Sequence, residues 1–444
     1  MIAKEVSLML RTKKFGITLI AAMALMASVD TSHAITAWAR KYGVSCNVCH
    51  GSGYKLTRVG QKFLRNGHVM PGGGEQKEAN ISDYVALTAK LRTWAKSSKA
   101  ETLATGVETK SSRSSFEAHA LSMYTGGPLD KGFSYFAEFY LHENEKKNPL
   151  ENSETNASDM GDWGRSKLAE AYLQYVKGDD DIYWTARMGR IMPWLVHLHE
   201  GGARLEYSRP LAFTSTVYTE NPYRAFSRQY GASAGFNYKE AFLEAGLVNG
   251  TGKHENSVEI GTDTHKDIFV TLDYSFGGLG SMVGLYYYNG QYRSDWFNPI
   301  YTSPDKFDQI GLMANYTFDL KGYKGALVGT YLSGKNKFDT SGISGFERKS
   351  KGYYLEAQSH WMNGDLSPYF RWDFFDADTS FSDNEKQGPV LGLHWKPMEH
   401  GRFVWEVSEY KYKNASKSLT TGVVTAATTQ TQDTEATLEI QFMF

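Results

Sequence analysis

From residue 80 onward the chain divides into segments of about ten residues in which apolar and polar side chains alternate, as strands of a membrane barrel do. They fall at 84–95, 115–125, 132–142, 166–177, 182–190, 229–238, 241–249, 266–276, 281–293, 306–318, 324–334, 350–362, 366–376, 388–397, 402–413 and 433–444. In the last of them Ala436, Leu438, Ile440, Phe442 and Phe444 alternate with Glu435, Thr437, Glu439, Gln441 and Met443. A period of two puts these sets on opposite faces of a strand. The connections are sorted by length. Those at 178–181, 238–240, 277–280, 363–365 and 398–401 are short, whereas those at 96–114, 143–165, 249–265 and 414–432 are long and polar. A soluble sandwich has no reason to sort its loops in this way, but an outer-membrane barrel does. The sequence therefore predicts an all-β fold, an antiparallel, porin-like transmembrane β-barrel of about 16 strands over residues 84–444, with both ends on the periplasmic side.

One connection breaks the scale. Residues 191–228 carry Pro193, Trp194, Leu195, Phe213 and Tyr223, too apolar for a solvated loop. They are expected either to fold back into the lumen or to cap the pore outside. Charged residues on the lumen phase, such as Glu138, Glu170, Arg187, Asp273, Glu356 and Arg371, read as a solvated wall.

The first residues give an address. Lys4, Arg11, Lys13 and Lys14 precede an apolar run at 15–29, and Ser32-His33-Ala34 offers small residues for cleavage. This is the pattern of a secretory signal over residues 1–34. The full chain has a net charge of −1; the signal holds four basic and two acidic residues, so its removal leaves −3. Such a balance excludes a charge-driven nucleic-acid partner. The distribution is uneven. Residues 35–74 contain six basic side chains and no acidic one, which leaves −9 on residues 75–444.

Within that basic segment stands Cys46-Asn47-Val48-Cys49-His50, and the chain has no other cysteine. C-x-x-C-H is the attachment pattern for haem c, with two thiols for the porphyrin vinyl groups and His50 as proximal iron ligand. A zinc site would need further Cys or His at matching spacing, and a thioredoxin-like role would need a surrounding βαβ pattern. Residues 35–74 are too few to build a core unaided, so one covalent haem would supply it. Val59 and Phe63 at i,i+4 with Gly67 beyond predict a short helix. Met70 is a candidate distal ligand, His68 an alternative, and a residue of the second domain or an open position completes the possibilities. After a flexible Pro71-Gly72-Gly73-Gly74, residues 75–83 read as a linker. Opposite charge and a short tether predict that this small α-helical module plugs the barrel from its periplasmic end.

The order of signal, single C-x-x-C-H, Gly60-Gln61-Lys62-Phe63, Asn66-Gly67 and a long barrel ending in Phe444 resembles the fused monohaem cytochrome–porins of the bacterial outer membrane, the Fe(II)-oxidase type. Gly189-Arg190, Pro193 and Arg209-Pro210-Leu211 also look like phosphate-selective-type porins. The resemblance implies electron transfer between extracellular Fe(II), or another redox metal, and a periplasmic c-type cytochrome, in a chain bathed by outer-membrane lipid. It implies haem on Cys46, Cys49 and His50 and matches no distal ligand. Hard ligands suit iron, and His197, His199 and Glu200 form the most ligand-like local cluster for transient Fe contact. Two rivals stand beside this reading: outward electron transfer to an extracellular acceptor, and a diffusion porin with the haem module as gate or sensor.

Overall fold

The computed structural model describes residues 37–51, 55–71, 84–143, 167–201, 204–214, 221–250, 264–398 and 401–443. The predicted signal, the linker 75–83 and Phe444 lie outside them. Three short helices come first: α1 (Ala37–Tyr42), α2 (Cys46–Cys49) and α3 (Arg58–Arg65). Sixteen long strands follow: β1 (Val85–Thr102), β2 (Val107–Pro128), β3 (Phe133–Glu143), β4 (Lys167–Gly178), β5 (Ile182–Ile191), β6 (Gln229–Tyr238), β7 (Ala241–Val248), β8 (Asp267–Phe276), β9 (Ser281–Tyr292), β10 (Asp305–Leu320), β11 (Tyr323–Phe338), β12 (Phe346–His360), β13 (Leu366–Asp376), β14 (Glu385–Met398), β15 (Gly401–Lys413) and β16 (Thr429–Met443). Each pairs antiparallel with its sequence neighbour, and β16 pairs back onto β1 from Thr88↔Met443 to Thr102↔Thr429, so the sheet closes without an edge.

Alternation decides which face goes where. In β8, Ile268, Val270, Leu272, Tyr274 and Phe276 are exposed on the outside, while Phe269, Thr271, Asp273 and Ser275 are buried inside. The same phase runs through β7, β9 and β10 and gives a continuous apolar outer belt. A belt of that extent requires hydrocarbon or a partner against it. Trp184, Tyr238, Tyr323 and Trp361 mark its lower rim beside the short turns, where aromatic side chains bridge lipid and water.

Two connections differ from expectation. Residues 96–114 are mostly strand: β1 and β2 continue paired to Thr102↔Val107, leaving only 103–106 as a turn. This ribbon is polar on both faces, so it shows no alternation to read. In 414–432, Ser416–Lys417 pairs with Val424–Thr425, and β16 already begins at Thr429.

The long connection after β5 enters the lumen. Trp194, Leu195, Val196 and Phe213 are fully buried among side chains of the inner wall. Arg187 of β5 fixes its start, donating to Met192 O at 2.5 Å and to Glu244 Oε1 of β7 at 2.6 Å; Glu244 Oε2 accepts from Trp194 N at 2.7 Å. Further along, Arg371 of β13 donates to Ser208 O and Oγ at 3.0 and 2.8 Å. The segment thus spans from one side of the barrel to the other. Its burial of the wall overturns the solvated reading of the charged lumen positions: Glu138, Glu170, Arg187, Asp273, Glu356 and Arg371 are all buried, and each is paired.

Candidate functional site

The α1–α3 segment sits inside the short-turn end of the barrel. Thr57 caps α3, its Oγ1 accepting from Gly60 N at 3.2 Å and donating to Val48 O at 2.6 Å. Thr57 N donates to Cys49 O at 2.9 Å, and a Cβ on Gly60 would collide with that same carbonyl. The C-x-x-C-H turn, helical as α2, is therefore seated directly on the first turn of α3, which explains the glycine there.

The far side of α3 docks on the barrel. Arg65 meets Asp273 of β8 with two hydrogen bonds, Nη1 to Oδ1 at 3.1 Å and Nη2 to Oδ2 at 2.6 Å, both side chains being buried. Its guanidinium lies 4.1 Å from the ring centre of Phe242, and its carbonyl accepts from Gln174 Nε2 of β4 at 2.6 Å. Gln61 donates to Gly280 O at 3.1 Å and accepts from Ser275 Oγ at 2.7 Å. At the rim, Lys62 pairs with Asp181 and Arg58 with Glu240, in the β4–β5 and β6–β7 turns. Lys55 reaches up the lumen and donates to His199 O at 2.7 Å, tying this segment to the long inward loop. On the opposite wall, Trp38 Nε1 donates to Gly126 O of β2 at 2.8 Å. Three basic residues of this segment thus meet acidic partners of the barrel, Arg65 with Asp273, Lys62 with Asp181 and Arg58 with Glu240.

The candidate ligands lie as follows. His50 and Cys49 are half-buried at the end of α2; nothing is described of the Cys46 side chain. Met70 is half-buried beyond the helix. His68 is completely buried, with a backbone φ of 62°. Its ring stacks on Trp38 at 4.6 Å and on Phe136 of β3 at 5.8 Å, and neither ring nitrogen has a hydrogen-bond partner. Burial pushes this imidazole down to about 3, so it is neutral. Cys49 and His50, side by side at the end of α2, are donors of the kind that suit haem c. Among the described residues, no three His, Cys, Asp or Glu side chains gather to hold a metal ion.

Of His197, His199 and Glu200, on a π-helical turn (His197–Gly201), the first faces β4 while the other two meet at Tyr354 of β12. His197 Nδ1 lies 3.5 Å from Glu170 Oε2 of β4. His199 Nε2 lies 2.8 Å from Thr330 Oγ1 and 3.1 Å from Tyr354 Oη, and Glu200 Oε1 accepts from Tyr354 at 2.5 Å. Burial holds His199 well below the ordinary histidine range and pushes Glu200 up. These groups fasten the loop to β4, β11 and β12 and are not assembled as a metal centre.

Sequence reasoning did not single out the aromatic contacts above the module. Trp194 of the inward loop meets Tyr172 at 6.0 Å, Tyr172 meets Phe136 at 5.6 Å, and Phe136 meets His68. Each residue carries an ordinary strand or loop signature, and only the closed barrel brings them into one line.

Barrel, inward loop and strand count define a porin-type outer-membrane channel fold. The structure is similar to an anion-selective porin from Comamonas acidovorans, at 16% identity over 81% of this chain and 99% of that one, with a TM-score of 0.53. It also matches the outer membrane channel DcaP of Acinetobacter baumannii (8% identity, 81% and 97% covered, TM-score 0.47) and OmpT of Vibrio cholerae (9%, 81% and 97%, TM-score 0.46). No protein-family profile and no curated protein sequence matches the chain. The likeness is one of fold.

Proposed function

We propose that the chain is an outer-membrane electron carrier, a porin-type barrel whose N-terminal segment bears one c-type haem and plugs the periplasmic mouth. Cys46 and Cys49 would form the thioethers, and His50 would take one face of the iron. Bound there, the haem would supply a one-electron Fe(III)/Fe(II) couple. The observation that carries the reading is the C-x-x-C-H turn seated on a helix that is itself locked inside the barrel by Arg65 and Asp273. This chain's own residues do the positioning. Arg58 and Lys62 hold the module at the rim, Gln61 and Arg65 hold it in the lumen, and Lys55 joins it to the loop that fills the passage. Filled in this way, the lumen suits electrons better than solutes. Extracellular Fe(II) is the first substrate to test and a soluble periplasmic cytochrome the first acceptor.

The fold likeness by itself favours the other reading, a diffusion porin in which the module acts as a gate or sensor, because the similar structures are channels. The two separate at the cofactor. Expressed with a c-type maturation system, the protein should carry a haem stain through a denaturing gel, and Cys46→Ala with Cys49→Ala should abolish it. A stain that survives the double change, or never forms, ends the electron-carrier reading. A redox titration then fixes direction: a strongly negative potential would favour outward transfer over Fe(II) oxidation.

A further inference from the structure

We propose that the lumen binds a small multivalent oxyanion, a polycarboxylate or a phosphate, in a cleft between the inward loop and the wall made by β1 and β15. The loop is fastened to β4, β7, β11, β12 and β13. On the remaining side the inward-facing groups keep access to solvent: Lys90 and Arg92 of β1, Arg402 of β15, and Arg204 and Arg209 of the loop are all half-buried. Short contacts gather them. Arg402 Nη1 donates to Arg204 O at 2.8 Å, and the Arg92 guanidinium lies 4.4 Å from the ring centre of Tyr207. Lys90 faces Arg204 and Arg402, and Arg209 faces Arg204.

The charges in this cleft do not balance. Arg92 takes two carboxylates, Glu439 at 2.6 Å and Glu117 at 3.3 Å. Glu439 also faces Lys90 and Arg402, so one carboxylate serves three cations. Arg204 gives its hydrogen bonds to backbone carbonyls, those of Glu206 at 3.2 Å and Tyr207 at 3.0 Å. Among the described residues, Lys90 and Arg209 form no ion pair or hydrogen bond, and Arg209 Nε is buried without a partner. The carboxylates further off are engaged: Glu138 by Arg228, Glu200 by Tyr354 and Glu206 by Gln358. Burial and the charges of Arg204 and Arg228 push the Arg209 guanidinium down to about 9, so it remains a cation at neutral pH. Phe226, with its ring centre 4.5 Å away, holds that side chain in place. Uncompensated cations in a half-dry cleft are unfavourable until an anion joins them. Guanidinium forks match carboxylate and phosphate oxygens, and low-dielectric walls focus the field on them.

This site is independent of haem attachment. The test titrates citrate and inorganic phosphate, by calorimetry at constant ionic strength, into the full-length protein in detergent, with chloride as the control anion. The unmodified protein should bind one anion saturably, and the stronger of the two ligands tells polycarboxylate from phosphate. Lys90→Gln and Arg209→Gln should each weaken binding at least about tenfold, since each removes one partner of a desolvated charge contact. Lys90→Arg should retain it, and Arg113→Gln, on the exposed ribbon, should leave it unchanged. Stability separates binding from packing. In chloride alone, Arg209→Gln should unfold on gels at a higher temperature than the unmodified protein, because a charge facing Arg204 and Arg228 is gone. Citrate or phosphate should stabilise the unmodified protein and not this variant. A lower unfolding temperature for Arg209→Gln in chloride would assign Arg209 to packing and overturn the proposal, as would anion binding that survives both Gln substitutions unchanged. If neither Gln variant folds, the unmodified protein still decides: saturable binding of citrate or phosphate supports the site, and no binding beyond chloride removes it.

Discussion

At the scale of single residues, the pairing of Arg65 with Asp273 decides whether the N-terminal segment is part of the barrel. Both groups are buried, the contact is bidentate, and Phe242 covers the guanidinium. Removing one partner of such a pair costs about 3–5 kcal/mol, because a lone charge remains in a dry place. Asp273→Ala should therefore loosen α3 while the strands stay closed. Backbone amides of residues 58–65 should exchange with deuterium at least about a hundredfold faster than in the unmodified protein. Replacing both partners, as in Arg65→Met with Asp273→Leu, removes the stranded charge and should recover most of that protection. Exchange rates that stay the same in Asp273→Ala would show that rim contacts alone hold the module. The sequence already displayed the two halves of this contact, a basic segment without acidic residues and an inward-facing Asp273. The match between them was not readable, since 208 positions separate the partners and only barrel closure brings them together.

At the scale of elements, strand identity was legible wherever the two faces differ and was lost where they do not. The segments 229–238 and 366–376 coincide with β6 and β13, because lipid outside and a crowded lumen inside impose unlike side chains. Beyond Ala95 and before Ser115 both faces meet water, so the ribbon is uniformly polar and looked like a loop. Such a ribbon contributes little to barrel closure. Exchanging residues 98–111 for a two-residue Asn-Gly turn should leave heat-modifiable mobility intact; its loss would assign the ribbon a part in assembly. The inward loop behaves in the opposite way. Its composition announced burial, and Trp194 is fully enclosed with Arg187 4.0 Å above its ring centre. Trp194→Ala opens a large cavity, worth about 3–5 kcal/mol by analogy with other core truncations. The temperature at which the barrel unfolds on gels should fall accordingly. A change no larger than that of an exposed substitution such as Phe116→Ala would mean that the loop is not packed as a core.

At the scale of the whole molecule, the question is what passes through the barrel. Two independent pieces of chain occupy the lumen. The α1–α3 segment fills the short-turn end, the inward loop crosses the middle, and Lys55 joins them through His199. Their joint effect is visible on the wall, where charged and amide side chains such as Gln174, Glu244 and Asp273 are as buried as a protein core. A wall that lined a water-filled pore would remain solvated. Reconstituted in planar bilayers, the unmodified protein should therefore conduct far less than an open porin of equal strand number. Deleting residues 37–71 alone should raise conductance only partly, because the loop still spans the lumen from β5 to β13. Replacing residues 194–214 by a short Gly-Ser linker in the same deletion should open the barrel fully, and the second step should be the larger one if the loop is the main barrier. The order of these effects separates the two functions. A gate must release ions when the module alone is removed, so full opening in the single deletion would favour the diffusion porin. A passage that stays closed until both pieces are gone is built to exclude solute, and that result would support a barrel that carries electrons.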